Sequence, residues 1–193
     1  MDKPAIEVGG RSLLARAVDA VADAEPIVVV GPERPLDQTV TWTREDPPGT
    51  GPLAALAAGL AALGPADEVA VLAADLPNVT PATVRRLRAA LTQSPEGPLR
   101  DVQRLEGVLQ GTRPAGAVVT DGEGHRQWLL GVWHRDALER AIPEDPAGRS
   151  LGRTLGVLPL VEVPAEENEA DDVDTPADLA ALDHNVSGRR RLD

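Results

Sequence analysis

Three stretches of the chain carry residue types that could hold a phosphate or a divalent metal. The first is centred on Asp75, which follows an apolar run at residues 68–73 and precedes Leu76-Pro77. A carboxylate at the carboxyl end of a strand is a frequent ligand of Mg²⁺, which takes few protein oxygens and leaves phosphate oxygens to complete its shell. The alternative is an aspartate that caps the following turn.

The second stretch is the loop at residues 44–52, in which proline and glycine dominate. Gly49 and Gly51 flank Thr50 just before an Ala/Leu-rich run, so backbone N–H groups here can approach an anion or a base closely. This is not a Walker A loop, because no Gly-Lys-Ser/Thr follows, and it lacks the glycine spacing of dinucleotide-binding loops. A plain rigid loop is the alternative.

The third stretch is acidic and covers residues 171–178, just before a Thr-Pro helix start. Such a cluster could face the same cleft as Asp75 and bind the other side of a metal. The alternative is a solvated surface with a helix cap.

Lys3 is the only lysine among 19 basic residues. Where arginine is otherwise preferred, a lysine can be kept for its compact, point-like ammonium; a chance lysine near a terminus is the alternative. The three histidines have no metal-ligand spacing and suggest no Ser-His-Asp arrangement. They are His125, His134 and His184.

Apolar strand patterns alternate with helical patterns along most of the chain, which predicts an α/β fold. We expect a Rossmann-like, mostly parallel sheet with helices on both faces. The predicted strands are 5–8, 27–30, 39–42, 68–73, 115–120, 127–132 and 158–163. The predicted helices follow Ser12 and Thr80 as N-caps and also cover 53–63, 135–141, a stretch near 149–156 and 175–182, with a further one near 100–109.

Composition limits the class of protein. The 193 residues predict a single domain over 1–183 with a polar tail at 184–193, as a monomer or weak homo-oligomer. A net charge of -12 argues against nucleic-acid binding. With no cysteine, no signal peptide and no apolar run of about 20 residues, we expect a soluble cytoplasmic protein that does not enter membranes.

Four segments, in family order, resemble motifs of the MobA-like nucleotidyltransferases. They are Asp2-Lys3-Pro4 with the run to Leu14, Arg44-Glu45-Asp46 followed by Gly51-Pro52-Leu53-Ala54, Ala74-Asp75-Leu76-Pro77, and Asp172-Val173-Asp174-Thr175-Pro176-Ala177-Asp178-Leu179. The resemblance implies the nucleotide-diphospho-sugar transferase type of fold. It also implies transfer of GMP from GTP to molybdopterin, the organic part of the molybdenum cofactor, with Mg²⁺ and release of pyrophosphate.

The resemblance also implies roles for individual residues. Lys3 matches the lysine that contacts the phosphates, and Asp75 matches the metal ligand. The nucleotide-binding set it implies is Lys3, Asp46, Gly49, Gly51, Pro52 and Leu53. Asp172 or Asp174 would be a further ligand of the metal or would contact the pterin substrate.

The sequence departs from the family pattern in two places. A Gly-rich loop, with the first strand of the sheet, is expected just before Asp2 and is missing from this sequence. Asp172 and Asp174 stand where guanylyltransferases commonly have Asn. The alternatives are therefore a cytidylyl- or sugar-phosphate nucleotidyltransferase of the same fold, or a non-catalytic nucleotide-binding module.

Overall fold

The computed structural model describes residues 2–93, 113–166 and 168–171. It opens with a 3₁₀ turn, Lys3–Ala5. The other elements are β1 (Glu7–Val8), β2 (Arg11–Ser12), α1 (Leu13–Ala20), β3 (Val28–Val30), β4 (Thr41–Thr43), α2 (Pro52–Ala62), β5 (Glu68–Leu72), α3 (Pro81–Gln93), β6 (Gly116–Thr120), β7 (Arg126–His134), α4 (Arg135–Ala141), α5 (Leu151–Leu155) and β8 (Leu160–Pro164). The helices predicted near 100–109 and over 175–182 lie outside the described residues.

Local sequence signals set the starts of the helices. The Ser12 hydroxyl accepts a hydrogen bond from the Ala15 N–H at 3.1 Å, which confirms it as the N-cap of α1. The Thr80 hydroxyl accepts one from the Thr83 N–H at 3.4 Å, and Pro81 opens α3 as predicted. The helix predicted at 135–141 is confirmed as α4.

The α/β class is confirmed, and the described residues form three sheets: a mixed four-stranded sheet, the parallel pair β3–β4 and the short antiparallel pair β1–β2. A four-stranded sheet has the order β5-β7-β6-β8, in which β6 and β8 are parallel. Strand β7 runs antiparallel to both of its neighbours, β5 and β6, and forms a hairpin with β6 through the turn Asp121-Gly122-Glu123-Gly124. The Asp121 carboxylate closes that turn by accepting the backbone N–H groups of Glu123 and His125.

Helices cover both faces of the four-stranded sheet, as predicted. On one face Val118 and Trp133 pack with α2, α4 and α5. On the other face Val119 and Val132 pack with α3 and the end of α1. Alternate residues of each strand therefore belong to opposite cores, as the two-residue period of a strand requires.

Two glycines make room for the largest fully buried side chain, Trp133. A Cβ at Gly116 would lie 2.6 Å from Trp133 Cε3, and a Cβ at Gly131 would lie 2.7 Å from its Nε1. Even a methyl group at either position would force the indole or the neighbouring backbone to shift. None of the helices in the described ranges is long and apolar enough to cross a membrane.

Strands β3 and β4 form a second, two-stranded parallel sheet. A cavity of about 680 Å³ separates it from the four-stranded sheet, and both β3 and β5 line this cavity.

Candidate functional site

The structure brings together two of the predicted site residues, Lys3 and Asp75. Lys3 lies in the opening 3₁₀ turn, and Asp75 follows β5 at the carboxyl end of that strand. Lys3 Nζ is 3.6 Å from Asp75 Oδ2, and their side chains are 30% and 29% exposed. Both residues line the 680 Å³ cavity. A partly exposed cation and anion at a strand end form a charged centre that phosphate and metal can reach.

Arg34, which the sequence analysis did not identify, fixes the chain next to Lys3. Its guanidinium donates two hydrogen bonds to the Asp2 carboxylate, Nη1 to Oδ2 at 2.6 Å and Nη2 to Oδ1 at 2.7 Å. A two-point pair of this kind sets orientation as well as distance. The contact spans 32 residues, so no local signal in the sequence could have revealed it.

The turn after Asp75 is held both by packing in the core and by a hydrogen bond to a neighbouring segment. Leu76 and Val79 are buried in the core beneath it. Asn78 Nδ2 donates to the carbonyl oxygen of Asn168 at 2.9 Å. The acidic segment at residues 168–171, which leads into the acidic stretch at 171–178, therefore lies beside the turn that carries Asp75.

Glu169 ties this acidic segment to α3. It is only 4% exposed, and Arg86 Nη1 donates to its Oε1 at 3.2 Å. Burial raises the pKa of Glu169, but hydrogen bonds from Arg86, Thr83 and the Glu166 backbone outweigh it, so that pKa lies below its ordinary value. Asp172 and Asp174, the predicted second metal or substrate ligands, lie outside the described residues.

In the predicted base-binding loop, the backbone N–H of Gly49 already faces an anion. It donates to Glu45 Oε1 at 2.8 Å. The loop is braced by the Thr50 hydroxyl, which donates to the Pro47 carbonyl oxygen at 2.9 Å, and by the Gly148 N–H, which donates to the Thr50 carbonyl oxygen at 2.7 Å. A nucleotide that used the Gly49 amide would have to displace this carboxylate.

The remaining residues predicted for the loop occupy different environments. Asp46 is exposed, and Gly51 has φ +104°, a backbone conformation that favours glycine, at the start of α2. Pro52 lines the same cavity as Lys3 and Asp75. The Leu53 side chain is fully buried in the core, which leaves its backbone as the part available to a ligand.

The side chains at this centre suit the protein's share of a Mg²⁺ site. In the described part of the chain, no group of three or more His, Asp or Glu side chains is placed to hold a metal. Mg²⁺ often uses only one or two carboxylates and takes its other ligands from water and substrate phosphates. The partly exposed Asp75 carboxylate can provide such a contact.

Comparison with solved structures shows the same fold. Molybdopterin-guanine dinucleotide biosynthesis protein A from Archaeoglobus fulgidus has a TM-score of 0.65 at 18% identity, over 97% of this chain and 92% of that chain. A 2-C-methyl-D-erythritol 4-phosphate cytidylyltransferase from Thermus thermophilus has a TM-score of 0.62 at 22% identity, over 96% of this chain and 94% of that chain. A nucleotidyl transferase from Methanothermobacter has a TM-score of 0.63 at 19% identity, over 96% of this chain and 86% of that chain.

At the level of sequence, no curated protein matches the chain. A family model does match it, described as the MobA-like NTP transferase domain, over residues 1–157. That span includes Lys3, Asp75 and the loop at 44–52. The chain therefore belongs to the MobA-like NTP transferase domain family, a family of nucleotidyltransferases.

Proposed function

We propose that the chain is a Mg²⁺-dependent nucleotidyltransferase that transfers GMP from GTP to molybdopterin. In this reaction a phosphate oxygen of molybdopterin forms a bond to the α-phosphorus of GTP. The bond from that phosphorus to the α–β bridging oxygen breaks, and pyrophosphate leaves with the electron pair. The observation that carries the proposal is the Lys3–Asp75 pair at the end of β5, in a chain of this family.

Lys3 is the proposed contact to the triphosphate. Negative charge grows on the leaving pyrophosphate as the phosphorus–oxygen bond breaks, and a positioned ammonium stabilises that charge most in the transition state. The Asp2–Arg34 pair holds the neighbouring backbone, so Lys3 is oriented before the nucleotide binds. The reaction needs no covalent enzyme intermediate, because alignment of the two substrates lowers its barrier.

Asp75 is the proposed ligand of Mg²⁺, with Asp172 or Asp174 as candidate further ligands or contacts to the pterin. When bound, the ion supplies positive charge that neutralises the triphosphate. Asp75 also pairs with Lys3, so in this proposal one carboxylate would position both cationic contacts of the nucleotide.

Asp46 and the turn at residues 49–53 are the proposed contacts to the base. The exposed Asp46 carboxylate can accept hydrogen bonds from the N–H donors of guanine. Cytosine also offers an amino donor to a carboxylate. The choice of base is therefore a question for direct measurement.

The first test is a thermal-unfolding series with GTP, CTP, ATP and UTP, with and without Mg²⁺. A nucleotide at 100 times its Kd should add about 2.7 kcal/mol, which raises the midpoint by about 5–10 °C for a chain of this size. We expect a Mg²⁺-dependent shift with GTP, and pyrophosphate release when molybdopterin is added. A shift with CTP alone would assign the cytidylyl branch, and no shift with any nucleotide would contradict the proposal.

The Lys3→Ala variant tests the role of the lysine in the same assay. We expect kcat to fall at least tenfold, because the lost contact forms mainly in the transition state. Arg140→Ala is the matched control, since it removes an exposed cation on α4. A rise in KM at unchanged kcat would make Lys3 a ground-state binding residue instead.

A further inference from the structure

The turn that carries Asp75 is hydrogen-bonded to a segment that lies far along the chain. Asn78, in that turn, donates its side-chain N–H to the carbonyl oxygen of Asn168 at 2.9 Å. The same carbonyl oxygen accepts the backbone N–H of Asp171 at 3.1 Å. One main-chain oxygen therefore closes the turn at residues 168–171 and also holds the turn that follows β5.

The direction of that oxygen depends on an uncommon backbone conformation. Within the described ranges, Asn168 is the only residue other than glycine with a positive φ, at +63°. Asparagine is one of the few residues with a side chain that adopt this left-handed conformation readily. Asn168 is exposed and contributes its backbone to the contact, so its conformation directs the carbonyl oxygen toward Asn78.

Arg86 on α3 fixes the position of the same turn. Its guanidinium donates two hydrogen bonds to the Glu169 carboxylate, Nη1 to Oε1 at 3.2 Å and Nη2 to Oε2 at 2.5 Å. Nη2 also donates to the Pro164 carbonyl oxygen at 3.2 Å. Because a two-point pair sets orientation as well as distance, the residue next to Asn168 is fixed to α3 and to the end of β8.

Burial makes this ion pair inefficient as a source of stability. Glu169 is buried, and the Arg86 side chain is 25% exposed. The removal of two charges from water offsets much of their attraction, and well-packed apolar residues of similar volume are often equally stabilising. An apolar pair, however, lacks the directional hydrogen bonds that orient the turn at 168–171. The ion pair therefore contributes a fixed geometry that packing alone does not.

The Asp75 carboxylate depends on its turn for its direction. Its ion pair with Lys3 is long, at 3.6 Å, and the two side chains are 30% and 29% exposed. Partly exposed ion pairs of this kind hold one geometry only weakly. The backbone of the turn must therefore supply the order. Leu76 holds that backbone in the core, and Asn78 holds it to the turn at 168–171.

We propose that a brace of four residues positions the Asp75 carboxylate to hold a divalent metal. The brace consists of Arg86, Glu169, Asn168 and Asn78, in the order in which they connect α3 to the Asp75 turn. Mg²⁺ requires nearly ideal octahedral geometry, and the loss of a residue that orients a metal ligand typically lowers metal affinity about 10–100-fold. This inference rests on the proposed function, in which Asp75 is the metal ligand, and it makes Asn78 a positioning residue.

The test compares two dissociation constants of the full chain by calorimetry, one for GTP with Mg²⁺ and one for GTP in EDTA. We define the metal gain as the Kd in EDTA divided by the Kd with Mg²⁺. We expect Asn78→Ala to lower the metal gain at least tenfold, while the Kd for metal-free GTP stays within twofold. A substitution that damaged only the fold would weaken binding in both conditions.

Two substitutions of Asn168 test whether its backbone conformation carries the effect. Asn168→Gly keeps the carbonyl oxygen and adopts the left-handed conformation freely, so its metal gain should stay within twofold of that of the unaltered chain. Asn168→Val also keeps the oxygen, but a β-branched residue resists a positive φ. Its metal gain should therefore fall at least fivefold.

A double variant separates geometry from stability. Arg86→Met combined with Glu169→Leu replaces the ion pair by apolar side chains of similar size. We expect its urea midpoint to equal or exceed that of the unaltered chain, and its metal gain to fall at least threefold. Arg85→Ala, which removes an exposed cation from the same helix, is the control and should change neither quantity.

Asp75→Asn separates this inference from the proposed function on which it rests, because its metal gain should fall close to one. An unaltered gain in Asp75→Asn would overturn the metal assignment and the brace together. An unaltered gain in Asn78→Ala beside a lost gain in Asp75→Asn would overturn the brace and leave the proposed function standing. Equal weakening of both dissociation constants in Asn78→Ala would show that the contact serves stability alone, which also overturns the brace.

Discussion

Lys3 and Asp75 are separated by 72 positions in the sequence and lie 3.6 Å apart in the fold. The residue types and flanking motifs were sufficient to select both from the sequence. Arg34 and Asn78 could not be found in this way, because their contacts span 32 and 90 residues and depend on how the loops pack. The structure shows that Lys3 and Asp75 lie together, and their chemical roles stay a prediction.

We predict that Asp75→Asn lowers turnover at least 100-fold and leaves the fold intact. The substitution keeps the side-chain volume and removes the charge needed to hold a divalent metal. Since the pair with Lys3 is partly exposed, its loss should change the free energy of unfolding by no more than about 1 kcal/mol. Steady-state kinetics and urea unfolding measure the two effects.

Asp136→Asn is the control for this prediction. Asp136 pairs with Arg140 on the exposed surface of α4, so its substitution should affect neither turnover nor nucleotide binding. A near-normal rate for Asp75→Asn would remove Asp75 from the proposed metal site.

At the scale of elements, the starts of the helices with clear caps, after Ser12 and Thr80, were predicted to the residue, whereas strand lengths were not. Strand β7 was predicted at 127–132 and extends over Arg126–His134, because it pairs with both β5 and β6. The strand predicted at 5–8 is a 3₁₀ turn followed by the two-residue β1. Strand ends depend on partners distant in sequence, which local patterns do not encode.

The tie between the acidic segment and α3 gives a prediction at this scale. Arg86 contacts two carboxylates, the buried Glu169 and the largely exposed Glu166. We expect Glu169→Gln to lower the free energy of unfolding by about 1–3 kcal/mol, because a charged hydrogen bond is lost in a buried setting. Glu166→Gln, measured by the same urea titration, should change it by less than about 0.5 kcal/mol. Equal effects would show that burial does not distinguish the two pairs.

At the scale of the whole molecule, composition and alternation predicted the α/β class and the helices on both faces. The separation of the β3–β4 pair from the four-stranded sheet does not follow from the apolar pattern of these strands. Val28–Val30 and Val69 to Leu72 both read as inner strands, and each has a neighbour on one side only among the described residues. A pattern of apolar residues specifies burial, and it does not specify which strand lies alongside.

Global stability should depend on pH through the buried His134. Burial lowers the pKa of His134 below 6.5, and Arg113 lowers it further, against smaller opposing effects of Glu68 and Asp136. In the unfolded chain His134 takes up a proton near pH 6.5, whereas in the folded chain it does so only at lower pH. The free energy of unfolding therefore decreases as the pH falls below 6.5. We expect the urea midpoint to fall between pH 7.5 and 5.5, and the fall to be smaller in His134→Gln. Parallel profiles for the two proteins would contradict this assignment.

The placement of the three tryptophans has a consequence for spectroscopy. Trp42 lies in β4 of the small sheet, and Trp128 and Trp133 lie in β7 of the large one. With no tyrosine and no phenylalanine in the chain, indoles alone supply its near-ultraviolet signal. Trp133 is fully buried, whereas Trp42 is partly exposed. Each sheet therefore carries its own optical reporter, and emission from the chain can distinguish melting of one sheet from melting of the other.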